Sequence, residues 1–367
     1  MQALKTIGRW LGLSPGASQS LPVVTRGRVD HVVILDGTLS TLRDGCETNA
    51  GLTYKLLSEV SSSARLSLRY EAGVQWRQWR HTMDVIQGTG INRQIRRAYG
   101  FLASRYRPGD RIFLFGYSRG GYAVRSLAGV IDRVGLLRSD CATERNIRQA
   151  YRHYRLDKDG PAAQEFAQAY CHQNVEIEMV GVWDTVKALG LRLPIIWKLY
   201  ETRHAFHNHH LGRTIRHGYQ ALAIDETREA FTPEIWECPT DWTGQMEQVW
   251  FRGAHGDVGG QIGTHHVSRP LSNVSLVWML EKAAGCGLAL PENWGASLPT
   301  DPEAPIVGTF KGWGKLFIAR KARIVGADPS EFVHETAKDH KLAVKFNLPV
   351  NTQAASEKEK PAAAKLN

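Results

Sequence analysis

The chain has 367 residues, 43% of them hydrophobic and 22% charged, which is the balance of a soluble globular protein long enough for one elaborated domain or two small ones. Its formal net charge of +10 and pI near 9.4 point toward anionic partners such as nucleic acid, an anionic membrane surface or an acidic protein, or serve solubility alone. The basic residues are spread along the chain without a basic arm, so nucleic acid is not expected, and no apolar run approaches the ~20 residues that cross a bilayer.

The five cysteines (Cys46, Cys141, Cys171, Cys238, Cys286) are odd in number and far apart, with no C-x-x-C. That pattern excludes a disulfide framework and a zinc knuckle and suits a reducing compartment. Eleven Trp and eleven Tyr suit a protein that works at an interface. Residues 1–27 form a weakly amphipathic segment (Leu4, Ile7, Leu11) and a Ser/Pro/Gly linker, without the features of a Sec signal peptide. The expected location is therefore cytoplasmic or peripheral to a membrane.

The folded body, expected over 28–345, begins with a strand from Val29 to Leu35 that runs into Asp36-Gly37-Thr38. A helix from Thr48 to Val60 follows, then a strand from Arg65 to Tyr70 and a helix from Gly88 to Tyr106. The next stretch, R-I-F-L-F-G-Y-S-R-G-G, organises the rest. Its apolar run (Ile112, Phe113, Leu114, Phe115) predicts a buried strand, and Val124, Leu127, Ala128 and Ile131 predict a helix directly after it. Between them lies Gly116-Tyr117-Ser118-Arg119-Gly120, a G-x-S-x-G. A bare G-x-S-x-G is weak, but strand, sharp turn and helix are the setting of a nucleophile elbow.

A polar helical insertion is expected at about 140–174, followed by a strand from Val175 to Trp183 that ends at Asp184. A second insertion is expected at about 190–213, and a helix from Thr214 to Thr227. Within that insertion, Leu191 to Tyr200 mixes Leu, Ile and Trp with Arg192 and Lys198, as in a lid or a membrane-resting segment. A strand from Gln248 to Phe251 then leads to Gly253-Ala254-His255-Gly256-Asp257, and a helix runs from Leu271 to Ala284. The Ala/Lys/Glu-rich residues 351–367 are expected to be a disordered tail. Strands alternating with helices predict an α/β fold, a mostly parallel central sheet with helices on both faces and helical cap insertions.

A serine hydroxyl needs an adjacent base, itself oriented by an acid, in the chain order Ser, Asp or Glu, His at successive strand ends. Ser118, Asp184 and His255 meet that order. An Asp after a strand more commonly caps the next helix, and Asp257 competes for the acid role. The oxyanion of acyl transfer would be met by the backbone N–H of Arg119 and by that of Gly37 or Thr38. D-G-T after a strand also occurs in phosphatases with an aspartyl nucleophile, but those need a second Asp two residues away, and Leu35 and Thr38 flank the Asp36-Gly37 pair here. The histidines at 204, 207, 209 and 210 and the pair His265-His266 lack a metal-binding pattern, so no metal and no organic cofactor are expected.

The D-G-T segment, Thr48-Asn49, G-T-G-I-N, R-P-G-D-R-I-F-L-F-G-Y-S-R-G-G-Y-A-V-R-S-L-A-G, G-V-W-D-T-V, A-L-A-I-D-E-T-R-E-A-F-T-P, V-W-F-R-G-A-H-G-D-V-G-G and L-S-N-V-S-L-V-W-M occur in this order. In that order the chain resembles the α/β-hydrolase family that includes phospholipase effectors of the bacterial type VI secretion system. The resemblance covers roughly residues 30 to 285. It implies an α/β-hydrolase fold, the triad Ser118, Asp184 and His255, and lipid or phospholipid esters as substrates. It also allows delivery by a type VI system, and peripheral contact with an anionic membrane fits the positive charge. Two loops depart from the family pattern, at Gln75-Trp76 and Gln261-Ile262. The rival expectation is a catalytically idle α/β-hydrolase-like protein that binds an anionic membrane or a partner protein.

Overall fold

The computed structural model describes residues 26–73, 89–156, 160–186, 211–238, 242–310 and 319–351. The segment at 191–200, Gln75-Trp76, the four histidines at 204–210 and the tail beyond 351 lie outside the described residues.

Eight strands form one sheet: β1 (Asp30–Leu35), β2 (Leu66–Glu71), β3 (Arg111–Tyr117), β4 (Ile177–Trp183), β5 (Ile215–Ala223), β6 (Gln245–Phe251), β7 (Glu331–His334) and β8 (Val350–Asn351). Their order is β2-β1-β3-β4-β5-β6-β7-β8, and every neighbouring pair is parallel. A parallel sheet has to be covered on both faces, so its inner strands carry unbroken apolar runs, as Val32 to Leu35 of β1 and Ile112 to Phe115 of β3 do.

Alternation along β1 and β3 divides the core between the two faces. Val33, Leu35, Ile112 and Leu114 face α2 (Thr89–Arg105) and α3 (Arg119–Val134) in one cluster. Val32, Ile34, Phe113 and Phe115 share the opposite cluster with α1 (Asn49–Val60) and α7 (Arg269–Gly285). Helices α4 (Glu144–Leu156) and α5 (Pro161–Tyr170) lie between α3 and β4 in the chain and join the first cluster through Ile147, Ala150, Tyr151, Tyr154 and Phe166. The short helices α6 (His255–Gly259) and α8 (Lys341–Lys345) complete the labelled elements. This is α/β architecture, in which a sharp turn links β3 to α3.

Two differences from the sequence expectation stand out. The helix expected over Thr214–Thr227 is strand β5, flanked by β4 and β6. Gln220, Ala221, Leu222 and Ala223 favour a helix in isolation, but burial on both sheet faces overrides that preference, and the buried Gln220 amide is satisfied by the carbonyl of Glu234. The sheet also extends past the boundary expected at 345, because β8 pairs with β7 through Val333 and Val350.

Candidate active site

The C-terminal ends of β1, β3, β4, β5 and β6 follow one another along one edge of the sheet, and the polar residues after them converge. After β3 the chain turns sharply at Ser118, whose φ of 57° and ψ of −121° lie outside the regions that side-chain-bearing residues prefer. The flanking glycines make this turn feasible. A Cβ at Gly120 would lie 2.0 Å from the carbonyl oxygen of Leu35, and one at Gly116 would lie 2.6 Å from that of Gly120. Helix α3 therefore packs directly on β1 and β3, with Ser118 at its N-terminus and 7% exposed.

His255 opens α6, after Gly253 at φ 114°. Its Nε2 lies 2.9 Å from Ser118 Oγ, and its Nδ1 lies 2.6 Å from Asp184 Oδ2. With an ionised Asp184, Nδ1–H is the donor to the carboxylate and Nε2 accepts from the hydroxyl. The imidazole lies between Tyr117, tilted by 30° at a centroid distance of 4.9 Å, and Phe231, which meets it edge-on at 4.7 Å. Its backbone N–H donates to Glu226 Oε2 at 3.1 Å, and Arg228 grips the same carboxylate through Nε and Nη2 at 2.8 and 2.6 Å. Opposite, Asn49 donates to the carbonyls of Val258 and Ser272, tying α1 to α6 and α7.

Asp184 is fully buried, with φ 36°. Ala223 N–H donates to its Oδ1 at 3.0 Å and Arg323 Nη2 to its Oδ2 at 2.9 Å. Burial pushes this carboxyl up, but the charge of Arg323, the bond and charge of His255 and the Ala223 N–H together hold it below the ordinary Asp value.

Asp257 faces elsewhere. It accepts from the N–H groups of Ala254, Val307 and Gly308 at 2.9, 2.8 and 3.2 Å, so it caps α6 and fastens the 307–308 loop. Burial raises its pKa, against those three bonds. The structure brings Ser118, His255 and Asp184 together and leaves Asp257 outside the group.

The loop after β1 distinguishes between the two expected oxyanion donors. Gly37 N–H is bound to Asp36 Oδ1 at 2.6 Å, so it is occupied. Asp36 also accepts from Thr48 Oγ1 at 2.6 Å and Tyr70 Oη at 2.7 Å, which locks the loop. Burial raises the Asp36 pKa despite these bonds. Gly37 approaches so closely that a Cβ there would lie 3.3 Å from Ser118 Cβ, and Gln261 Nε2 holds Thr38 O at 2.9 Å.

No group of three or more His, Cys, Asp or Glu side chains suited to a metal ion occurs among the described residues. Four contributors escaped the sequence reading: Arg323, Glu226, Arg228 and Phe231. The last three lie in A-L-A-I-D-E-T-R-E-A-F-T-P, whose motif character was visible without any role for these residues. Arg323 sits in K-A-R-I, one cation among 46 Lys and Arg residues, with no local pattern to mark it.

Residues 30–282 match the model of the T6SS phospholipase effector Tle1-like catalytic domain. The chain belongs to this family. It is also similar to the uncharacterized protein YEL023C of Saccharomyces cerevisiae, 29% identical over 185 residues, which span 44% of this chain and 27% of the yeast protein. Among solved structures, an uncharacterized protein from Pseudomonas aeruginosa matches with a TM-score of 0.46 and 16% identity, covering 75% of this chain and 49% of that one. The Tle1 effector bound to the VgrG spike of the type 6 secretion system matches with a TM-score of 0.35 and 18% identity, over 66% of this chain and 53% of that one. The chain thus spans about half or less of the length of these relatives. The family match ends before β7, β8 and Arg323.

Proposed function

We propose that the protein is a serine ester hydrolase of the phospholipase or lipase kind, working through an acyl-enzyme on Ser118. The observation that carries this reading is the unbroken line from Ser118 Oγ to His255 Nε2 and from His255 Nδ1 to Asp184, starting at a serine held in an elbow. Family membership supplies the substrate class, lipid or phospholipid esters.

Ser118 Oγ attacks the ester carbonyl while His255 Nε2 takes its proton. Asp184 holds the imidazole in the tautomer that accepts at Nε2 and stabilises the imidazolium. The negative oxygen of the tetrahedral intermediate is met by the N–H groups of Arg119 and Thr38, and each such donor contributes roughly 10²–10³ in rate. Collapse breaks the ester C–O bond, and the leaving alcohol carries away the proton from Nε2. A water, deprotonated by His255, then attacks the acyl-Ser118 ester, and its collapse returns the proton to Oγ and frees the fatty acid. The positive charge suits peripheral contact with an anionic membrane during this cycle. Delivery by a type VI system extends the same reading to the family's effector role.

The test is fatty-acid release from phosphatidylethanolamine and phosphatidylglycerol vesicles and from short soluble esters, comparing the purified chain with Ser118→Ala. Release that disappears in the variant supports the reading. Equal background from both proteins on every substrate leaves the binding-only protein.

A further inference from the structure

The guanidinium of Arg323 is buried, 5% exposed, and its Nη2 donates to the Asp184 oxygen that His255 also uses. Its Nε and Nη1 are buried without a hydrogen-bond partner among the described residues. A buried cation without a counter-charge is strongly unfavourable, so the contact with Asp184 is what compensates it. The segment that carries Arg323 is built to deliver it. Lys321 N–H donates to Thr227 O at 2.7 Å and Glu229 N–H to Ala319 O at 3.0 Å, which lays 319–321 antiparallel on the strand-end loop after β5. Two residues beyond Arg323, Val325 is anchored in the cluster of Leu222, Ile224 and Trp250.

We infer that Arg323 is a positioning residue for the triad: its fixed positive charge keeps the fully buried Asp184 ionised and aimed at His255 Nδ1. The site is therefore completed by a C-terminal segment outside the stretch that matches the family's catalytic domain. Three other charged or titratable groups face His255: Glu226 at its backbone N–H, Arg228 on Glu226, and Tyr117 against the ring. Among the hydrogen bonds that the described residues make to Asp184, only those of His255 and Arg323 come from groups that can carry positive charge. Arginine suits this task because it stays protonated at every working pH.

The inference rests on Ser118 being the nucleophile, and its test separates the two ideas. The rate at which a fluorophosphonate probe labels the purified full chain is followed against pH for wild type, R323Q, R323M and R323K. With the neutral variants, burial of Asp184 is offset by His255 and the Ala223 N–H without the arginine's charge, so the carboxylate takes up a proton at higher pH. The acid limb of the labelling profile should move up by about 1 pH unit in R323Q and R323M, whichever is soluble. It should return toward the wild-type position in R323K. A residue that serves folding alone lowers thermal stability or the amount of active protein and leaves the midpoint where it was. A neutral variant with the wild-type midpoint overturns the role of Arg323. A wild-type chain that takes no label overturns the reading of Ser118 instead.

Discussion

Ser118 donates its backbone N–H to the carbonyl oxygen of Trp183 at 3.0 Å. This bond continues the β3–β4 ladder one step beyond the Tyr117–Trp183 pair, so Ser118 and Asp184 leave the sheet at the same level on adjacent strands. Asp184 N–H in turn donates to Ala221 O at 2.7 Å on β5. Parallel strands thus fix the separation of Ser118 and Asp184, and His255, reached from β6, fills the space between them. Rigid elements position such groups better than loops do.

Because the three side chains form one bonded line, their losses should not add. Ser118→Ala and His255→Ala should each remove nearly all turnover, on the order of 10⁴-fold or more, and the double variant should be no worse than either single one. Steady-state hydrolysis of a soluble ester measures this. A double variant whose loss is the product of the two single losses rejects a shared nucleophile and base.

Asp184 and Asp257 should separate cleanly. Asp184→Asn should cut turnover per folded molecule by roughly 10⁴-fold, since it favours the wrong imidazole tautomer. It should also cost about 3–5 kcal/mol of stability, since it leaves the buried Arg323 without its counter-charge. Asp257→Asn weakens three backbone bonds at α6 and the 307–308 loop, so it should cost about 1–3 kcal/mol of stability. Residual turnover per folded molecule should stay near wild type. Thermal melts beside active-site titration read both, and the reverse pattern makes Asp257 the acid.

The Asp36 cradle predicts a graded effect. Asp36→Asn places an NH₂ donor against the donors from Thr48 and Tyr70 and loosens the grip on Gly37. Turnover should fall about 10-fold or more as Thr38 N–H loses its aim, within the range for one misplaced oxyanion donor. Ester turnover with KM and kcat resolved is the measurement. A fall confined to KM contradicts an oxyanion role for this loop.

The pH dependence of stability follows from Asp184. Its folded-state pKa lies below the ordinary value because Arg323, His255 and Ala223 N–H outweigh desolvation. The sign is therefore that of a depressed carboxyl: the contribution is whole above an unfolded pKa of about 3.9 and is lost as pH falls through the folded value. Asp36 and Asp257 carry the opposite sign, since burial raises both, and their contributions fade as pH rises through their folded values. In melts recorded across the acid range, Asp184→Asn should converge on wild type as pH drops. A gap that stays constant with pH shows that Asp184 contributes through packing alone.

What the sequence disclosed follows the range of the interactions. The turn at Ser118 was legible because it is encoded within eleven consecutive residues, from strand through glycines to helix. Asp184 and His255 were legible as residues that end apolar runs, in an order that the fold dictates. Strand β5 was not, because its apolar character comes from burial on both faces and its Gln, Ala and Leu favour a helix in isolation. Arg323 was hidden for a different reason: its role depends on a contact 139 residues away in the chain, and nothing near it departs from an ordinary basic stretch. The cost of burying its charge becomes visible only once Asp184 stands beside it.

The proposal that Ser118 is a nucleophile activated by His255 is tested most directly by exposing the purified full chain to a fluorophosphonate probe, followed by peptide mapping in a mass spectrometer. Wild-type protein should carry one phosphonylated residue, Ser118. Labelling should be slowed by orders of magnitude in His255→Ala and absent at that position in Ser118→Ala. A folded wild-type chain that stays unlabelled, or one labelled at another serine with Ser118 intact, contradicts the proposal.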